Sequence, residues 1–272
     1  MLTKNSNISL TIVICHFGDA WWLINCIKSN NLLNNSLVKE IIVYDNSNNI
    51  NGILDTENFS STTKIRIIKT SFNMIGARQH ANSLNLIKNE PIKTSHICIL
   101  DTDVIFLNKK WLDFIGLEIL KFDSIVSLVE GSKCLSHSCF QIIPTSALKK
   151  IDFSLGMESN NFDTGRLIGL QLSLQGYLVK QLKVYKSGPF GIGYIYEQIE
   201  LYHITSVSLR NLDNRGTLIK SKLLKKIREL LLKVIALELV GFNCNNYLIL
   251  DLRILYKTFV SLKKNNIKIS DD

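Results

Sequence analysis

Apolar residues in the first hundred positions fall in short runs, each closed by polar residues. "SLTIVICHF" (9–17) reads as a buried strand, and Gly18-Asp19 behind it reads as a turn and helix cap. "WWLINCIKSNNLL" (21–33) places its apolar residues at helical spacing, and "KEIIVYDNSNN" (39–49) is a second strand running into an Asn/Ser-rich loop. "KIRIIKT" (64–70) is a third strand. Asn73 then caps a helix in which Ala77, Ala81, Leu84 and Lys88 share a face and which Pro91 ends. "HICIL" (96–100) is the fourth strand. Strands this apolar, each followed by a helix, predict an α/β fold: a mostly parallel, Rossmann-like sheet covered on both faces.

The second half is more mixed. "DSIVSLVEG" (123–131) and "SCFQIIP" (138–144) read as strands and "TSALKKI" (145–151) as a short helix. "FDTGRLIGLQLSLQGY" (162–177) reads as one helix closed by Gly176, and "LVKQLKVYK" (178–186) as one strand before the glycine-rich "SGPFGIGY". From Thr217 the chain is basic and helical. The expected organisation is a catalytic-type domain over 1–215 and a helical extension over 216–272, with no internal repeat.

At 272 residues and 46% hydrophobic, the chain can bury a sizeable core. Its net charge of +9 suggests an anionic partner, but no basic block dominates the first two hundred residues, so nucleic acid is not expected. The six cysteines form no CxxC pair and read as free thiols. "CLSHSC" (134–139) raises a metal site through His137, but its spacing fits no zinc template. The start lacks the apolar core of a signal peptide, and no uncharged run approaches the ~20 residues of a spanning helix. Two glycosylation sequons, at Asn7 and Asn58, carry little weight without such a signal. The expected location is cytoplasmic.

Most of the chemistry gathers at strand ends. In open α/β sheets ligands bind outside the carboxyl ends of the strands. Three strands end in polar groups: His16-Phe17-Gly18, Asp45-Asn46-Ser47 and Asp101-Thr102-Asp103. All three should meet on one rim, the acids facing a cleft rather than the core. A tight turn beginning at Asp101 would let Asp101 and Asp103 reach one divalent cation. Oxygen donors of this hardness favour Mg²⁺ or Mn²⁺. The alternative is a pair of solvated loop acids before the next helix, near Asn108.

The ordered set "TIVICHFG", "EIIVYDNSN", "NMIGARQHAN" and "LDTD" resembles the GT-A-fold glycosyltransferases of the family 2-like group, well over 9–107 and more faintly over 108–210. The resemblance implies a nucleotide-sugar donor, a divalent metal (Mn²⁺ or Mg²⁺) and transfer to an acceptor hydroxyl, of a glycan or a lipid-linked saccharide, with inversion. By the same resemblance Asp45 meets the nucleobase, and His16 and Phe17 pack around base and ribose. Arg78 meets a phosphate, Asp101 and Asp103 hold the metal, and His203 is a further metal ligand.

His16 departs from the more common threonine. The Glu-Asp of many relatives, whose Asp is the catalytic base, is replaced here by Thr164-Gly165. Asp163 is the nearest acid and the candidate base, or else a helix cap; Glu158 is the fallback. A sugar-nucleotide binder without catalysis and a nucleotidyltransferase are the competing readings, the latter short of a basic phosphate loop.

One more pattern lies in "KSKLLKKIRELLLKVIALELVGF" (220–242). Leu223, Ile227, Leu230, Leu231, Val234 and Leu237 share one side, while Lys222, Lys225, Lys226, Arg228 and Lys233 take the other. Such a helix fits either a peripheral contact with an anionic membrane or packing on protein, and Glu238 on the apolar side opposes deep insertion.

Overall fold

The computed structural model describes residues 8–18, 20–33, 35–47, 63–70, 77–157, 163–187 and 193–204, with positions 230, 232, 233 and 236. The chain divides into two compact units, Met1–His203 and Ile204–Asp272.

The first unit is built on a seven-stranded sheet. Its strands are β1 (Leu10–His16), β2 (Val38–Asp45), β3 (Lys64–Lys69), β4 (His96–Leu100), β6 (Ser124–Leu128), β7 (Ser136–Pro144) and β8 (Val179–Leu182), in the order β3-β2-β1-β4-β7-β6-β8. The pairs β1–β2, β1–β4, β2–β3 and β6–β8 are parallel; β7 runs antiparallel to both β4 and β6. The α/β, mostly parallel architecture is therefore as its apolar strands predict. The reversed β7 was not legible, because an apolar run carries no direction.

Alternation along the strands splits the core into two layers. Leu10, Ile12 and Ile14 of β1 and Ile41 and Val43 of β2 pack with α1 (Ala20–Ser29) and α3 (Trp111–Ile119). Val13, Ile42 and Tyr44 belong to the other layer, with α2 (Ala77–Leu86) and α4 (Ile168–Leu174). Glu118 ties α3 to edge strand β8: Lys121 Nζ donates to it at 2.8 Å, Lys180 Nζ donates to its other oxygen, and the Lys180 ammonium lies over the Phe114 and Phe122 rings.

A second, four-stranded sheet was not foreseen. It orders β5 (Val104–Phe106), β11 (Leu201–His203), β10 (Tyr194–Tyr196) and β9 (Val184–Ser187), with every pairing antiparallel. Three of these strands have three residues, too few for a periodic signal. The stretch expected as one strand over 178–186 breaks at Lys183 and serves both sheets. The helix expected over 162–177 shortens to α4, because Gly165 takes φ +68° and its amide turns to Phe153 O at 2.9 Å. Residues 145–150 form a 3-10 turn.

Of the second unit, Leu232 and Ala236 are buried, while Leu230, placed on the apolar stripe, is 56% exposed. The rest of the stretch expected to be helical over 220–242, the 215/216 boundary and Glu158 lie outside the described residues. Among the described residues, no helix is long and apolar enough to cross a membrane.

Candidate active site

Parallel register brings the strand ends together. His16 closes β1 opposite Asp45 at the end of β2, and Ile14 of β1 pairs with Leu100, the last residue of β4. Asn46 N donates to His16 O at 2.9 Å, continuing the ladder by one step. His16, Asp45 and Asp101 thus occupy neighbouring positions on one carboxyl rim, and Phe17 follows, half-buried.

Asp45 is 2% exposed. Its Oδ1 accepts from Ser47 N and Ser47 Oγ, both at 2.8 Å. Its Oδ2 is buried with no hydrogen-bond partner among the described residues. A buried carboxylate oxygen left open is costly to keep unless a ligand donates to it.

The two acids after β4 sit on a turn. Asp101 N donates to Cys139 O at 3.0 Å, and Val104 N returns to Asp101 O at 3.3 Å, so 101–104 folds back before β5 begins. Asn30 pins the far side of that turn: its Nδ2 donates to Val104 O and its Oδ1 accepts from Phe106 N, both at 2.9 Å. The tight turn expected at Asp101 is present. The expectation that both acids lie open to a cleft requires correction. Asp103 is 8% exposed and the Asp101 side chain 20%, because β11 pairs with β5 and lays His203 over them.

His203 pairs in register with Val104, and its Nε2 stands 3.3 Å from Asp103 Oδ1 and 3.9 Å from Asp101 Oδ2. Asp101, Asp103 and His203 each offer a ligand atom within 4.8 Å of the others. Two carboxylates and one imidazole suit Mn²⁺ and are compatible with Mg²⁺. His80, on α2, brings Nε2 to 3.7 Å from Asp101 Oδ1. Sequence reading missed this residue. The signal was available, since His80 lies one turn beyond Ala77 on the helix thought to approach the rim.

Burial raises the Asp101 carboxyl above its usual range; Asp103 and Asp163 add to the shift, while His80 and His203 oppose it. Burial pulls the His203 imidazole down, but Asp103, Asp101 and Asp163 together outweigh it and raise the ring. Burial, with His203, Arg166 and His80 nearby, holds His137 well below the usual histidine value and so neutral.

Asp163 is half-buried, in the turn before α4. Its Oδ1 accepts from the adjacent Thr164 N at 2.9 Å, while α4 starts at Ile168 with no side-chain cap. The helix-cap alternative therefore fails. Thr164 Oγ1 donates to Ala77 O at 2.7 Å, joining the Asp163 turn to the first turn of α2, where Arg78 is exposed.

No family model and no curated protein matches the chain. Among solved structures, the glycosyltransferase GlyE of Streptococcus pneumoniae TIGR4 is similar over 65% of this chain and 45% of its own, at 16% identity and TM-score 0.43. The mannosyltransferase PcManGT of Pyrobaculum calidifontis, in complex with GDP-Man and Mn²⁺, covers 85% of this chain and 66% of its own, at 11% and 0.47. Residues 1–349 of S. aureus TarS cover 86% and 81%, at 11% and 0.49. The chain thus spans just under half the length of GlyE. These likenesses are of fold.

Proposed function

We propose that the protein is a glycosyltransferase that moves a sugar from a nucleoside-diphosphate donor to an acceptor hydroxyl. The observation that carries this reading is the Asp101–Asp103 turn with His203 laid across it, at the same sheet rim as the open carboxylate oxygen of Asp45.

The roles are those the resemblance implies, and the positions of these residues support them. Asp45 Oδ2 accepts from the nucleobase, and His16 and Phe17 flank base and ribose. Arg78, exposed on the first turn of α2, meets a phosphate oxygen. Asp101, Asp103 and His203 hold Mn²⁺ or Mg²⁺, which when bound supplies the positive charge that offsets the leaving diphosphate. His80 orients Asp101 from behind. Asp163 takes the proton of the acceptor hydroxyl as the oxygen attacks the anomeric carbon on the face opposite the diphosphate, which is inversion. The acceptor is a glycan or lipid-linked saccharide. The protein works in the cytoplasm, with a peripheral membrane contact through the basic stretch over 220–242.

Donor hydrolysis tests the reading. Incubated with nucleotide sugars and Mn²⁺, the protein should release free sugar slowly, and Asp103→Ala should not. A protein that binds donors yet hydrolyses none, at any concentration, is a binder and not an enzyme.

A further inference from the structure

Strand β7 bulges beside the carboxylate turn. Its pairing with β6 jumps from Gln141, opposite Val126, to His137, opposite Ser127. Bulges re-aim side chains and gather near functional sites. Within this one the Cys139 amide turns to His137 Nδ1, at 3.1 Å, instead of to a neighbouring strand. The spacing of His137 and Cys139 alone matches no zinc template, and the third donor arrives from β11. The His203 ring packs edge-on against His137, centroids 4.8 Å apart. His137, Cys139 and His203 each offer one ligand atom within 4.8 Å of the others.

A further observation points to a ligand. His203 is 5% exposed, and while its Nε2 faces Asp103, its Nδ1 is buried with no hydrogen-bond partner among the described residues. Cys139 is fully buried yet touches the polar atoms of Ser127, at 3.3 Å. A thiol and two imidazoles are a borderline-soft donor set, unlike the hard oxygens of Asp101 and Asp103. We propose that His137, Cys139 and His203 form a second metal site, thiophilic, that takes a divalent ion of the zinc class. It shares His203 with the oxygen-donor site, through the other ring nitrogen, and its sulfur–metal band is read without reference to transferase activity.

Binding breaks the Cys139 S–H bond and forms a sulfur–metal bond, the proton passing to buffer. An ion on His137 Nδ1 replaces the Cys139 amide as partner; an ion on Nε2 moves the ring proton to Nδ1, and the neutral ring releases none in either case.

Cobalt(II) titration of the metal-free protein is the test, read by sulfur-to-cobalt charge-transfer absorption and by proton release. The wild type should show the band, release at least one proton per ion, and lose the band to Zn²⁺. Cys139→Ser should abolish it. Cys134→Ser, at the exposed cysteine, should leave it unchanged. His137→Gln keeps the thiol and should weaken cobalt binding at least tenfold; it decides the matter if Cys139→Ser does not fold. No band in the wild type, a band surviving Cys139→Ser, or full affinity in His137→Gln would overturn the proposal.

Discussion

Asp163 and His80 stand at the same cluster with different work to do. A base acts on the acceptor, so Asp163→Asn should cut turnover by about 10²–10⁴-fold while donor affinity holds. Asn keeps an oxygen for the Thr164 amide, so the turn survives and the loss reads as chemistry. Steady-state kinetics beside donor binding separates the two; a near-normal rate moves the base elsewhere. His80 acts through Asp101. Losing such an outer partner costs ~10–100-fold in metal affinity, so His80→Ala should weaken Mn²⁺ binding by that factor. Equal Mn²⁺ affinity in calorimetry would leave His80 a packing residue. At this scale the sequence showed Asp45, Asp101 and Asp103 because strand ends are visible in an apolar pattern. It showed His203 only through resemblance, and it raised a metal at His137 in "CLSHSC" without the third donor, because that residue comes from another sheet.

Elements were legible where they were long. β1, β3 and β4 lie within the runs that predicted them, β2 starts one residue ahead of its run at Val38, and their parallel pairing follows from their apolar character. The second sheet was hidden by strands of three residues, and the shortened α4 by Gly165, whose positive φ no helical periodicity reports. One element-level link carries a pH signature. Glu118, hydrogen-bonded to Lys121 and Lys180, has its carboxyl held below the usual range. A depressed folded value gives stability that is present above the unfolded carboxyl value, about 4.3, and lost as pH falls through the folded one. Glu118→Gln should therefore lower the unfolding midpoint at pH 7 by about 2–4 °C for a loss near 1 kcal/mol. The gap to wild type should close in acid. A gap that persists below pH 3 would contradict the link between α3 and β8.

For the whole molecule, the charge of +9 and the basic stretch over 220–242 set the scale of association. Anionic lipid attracts each basic residue near the surface with ~1 kcal/mol. Co-sedimentation with liposomes should require anionic lipid, weaken with salt, and fall when Lys225 and Lys226 become Glu. Binding indifferent to lipid charge would leave that stretch a structural or subunit-contact element.

The central claim is that a divalent cation on Asp101, Asp103 and His203 lets this rim take a nucleotide sugar. Thermal shift across a panel of nucleotide sugars, with Mn²⁺ and with excess EDTA, tests it most directly. At least one donor should raise the unfolding temperature with Mn²⁺ and lose that effect in EDTA and in Asp103→Asn. A donor that stabilises the protein equally in EDTA, or a panel that stabilises it nowhere, would contradict it.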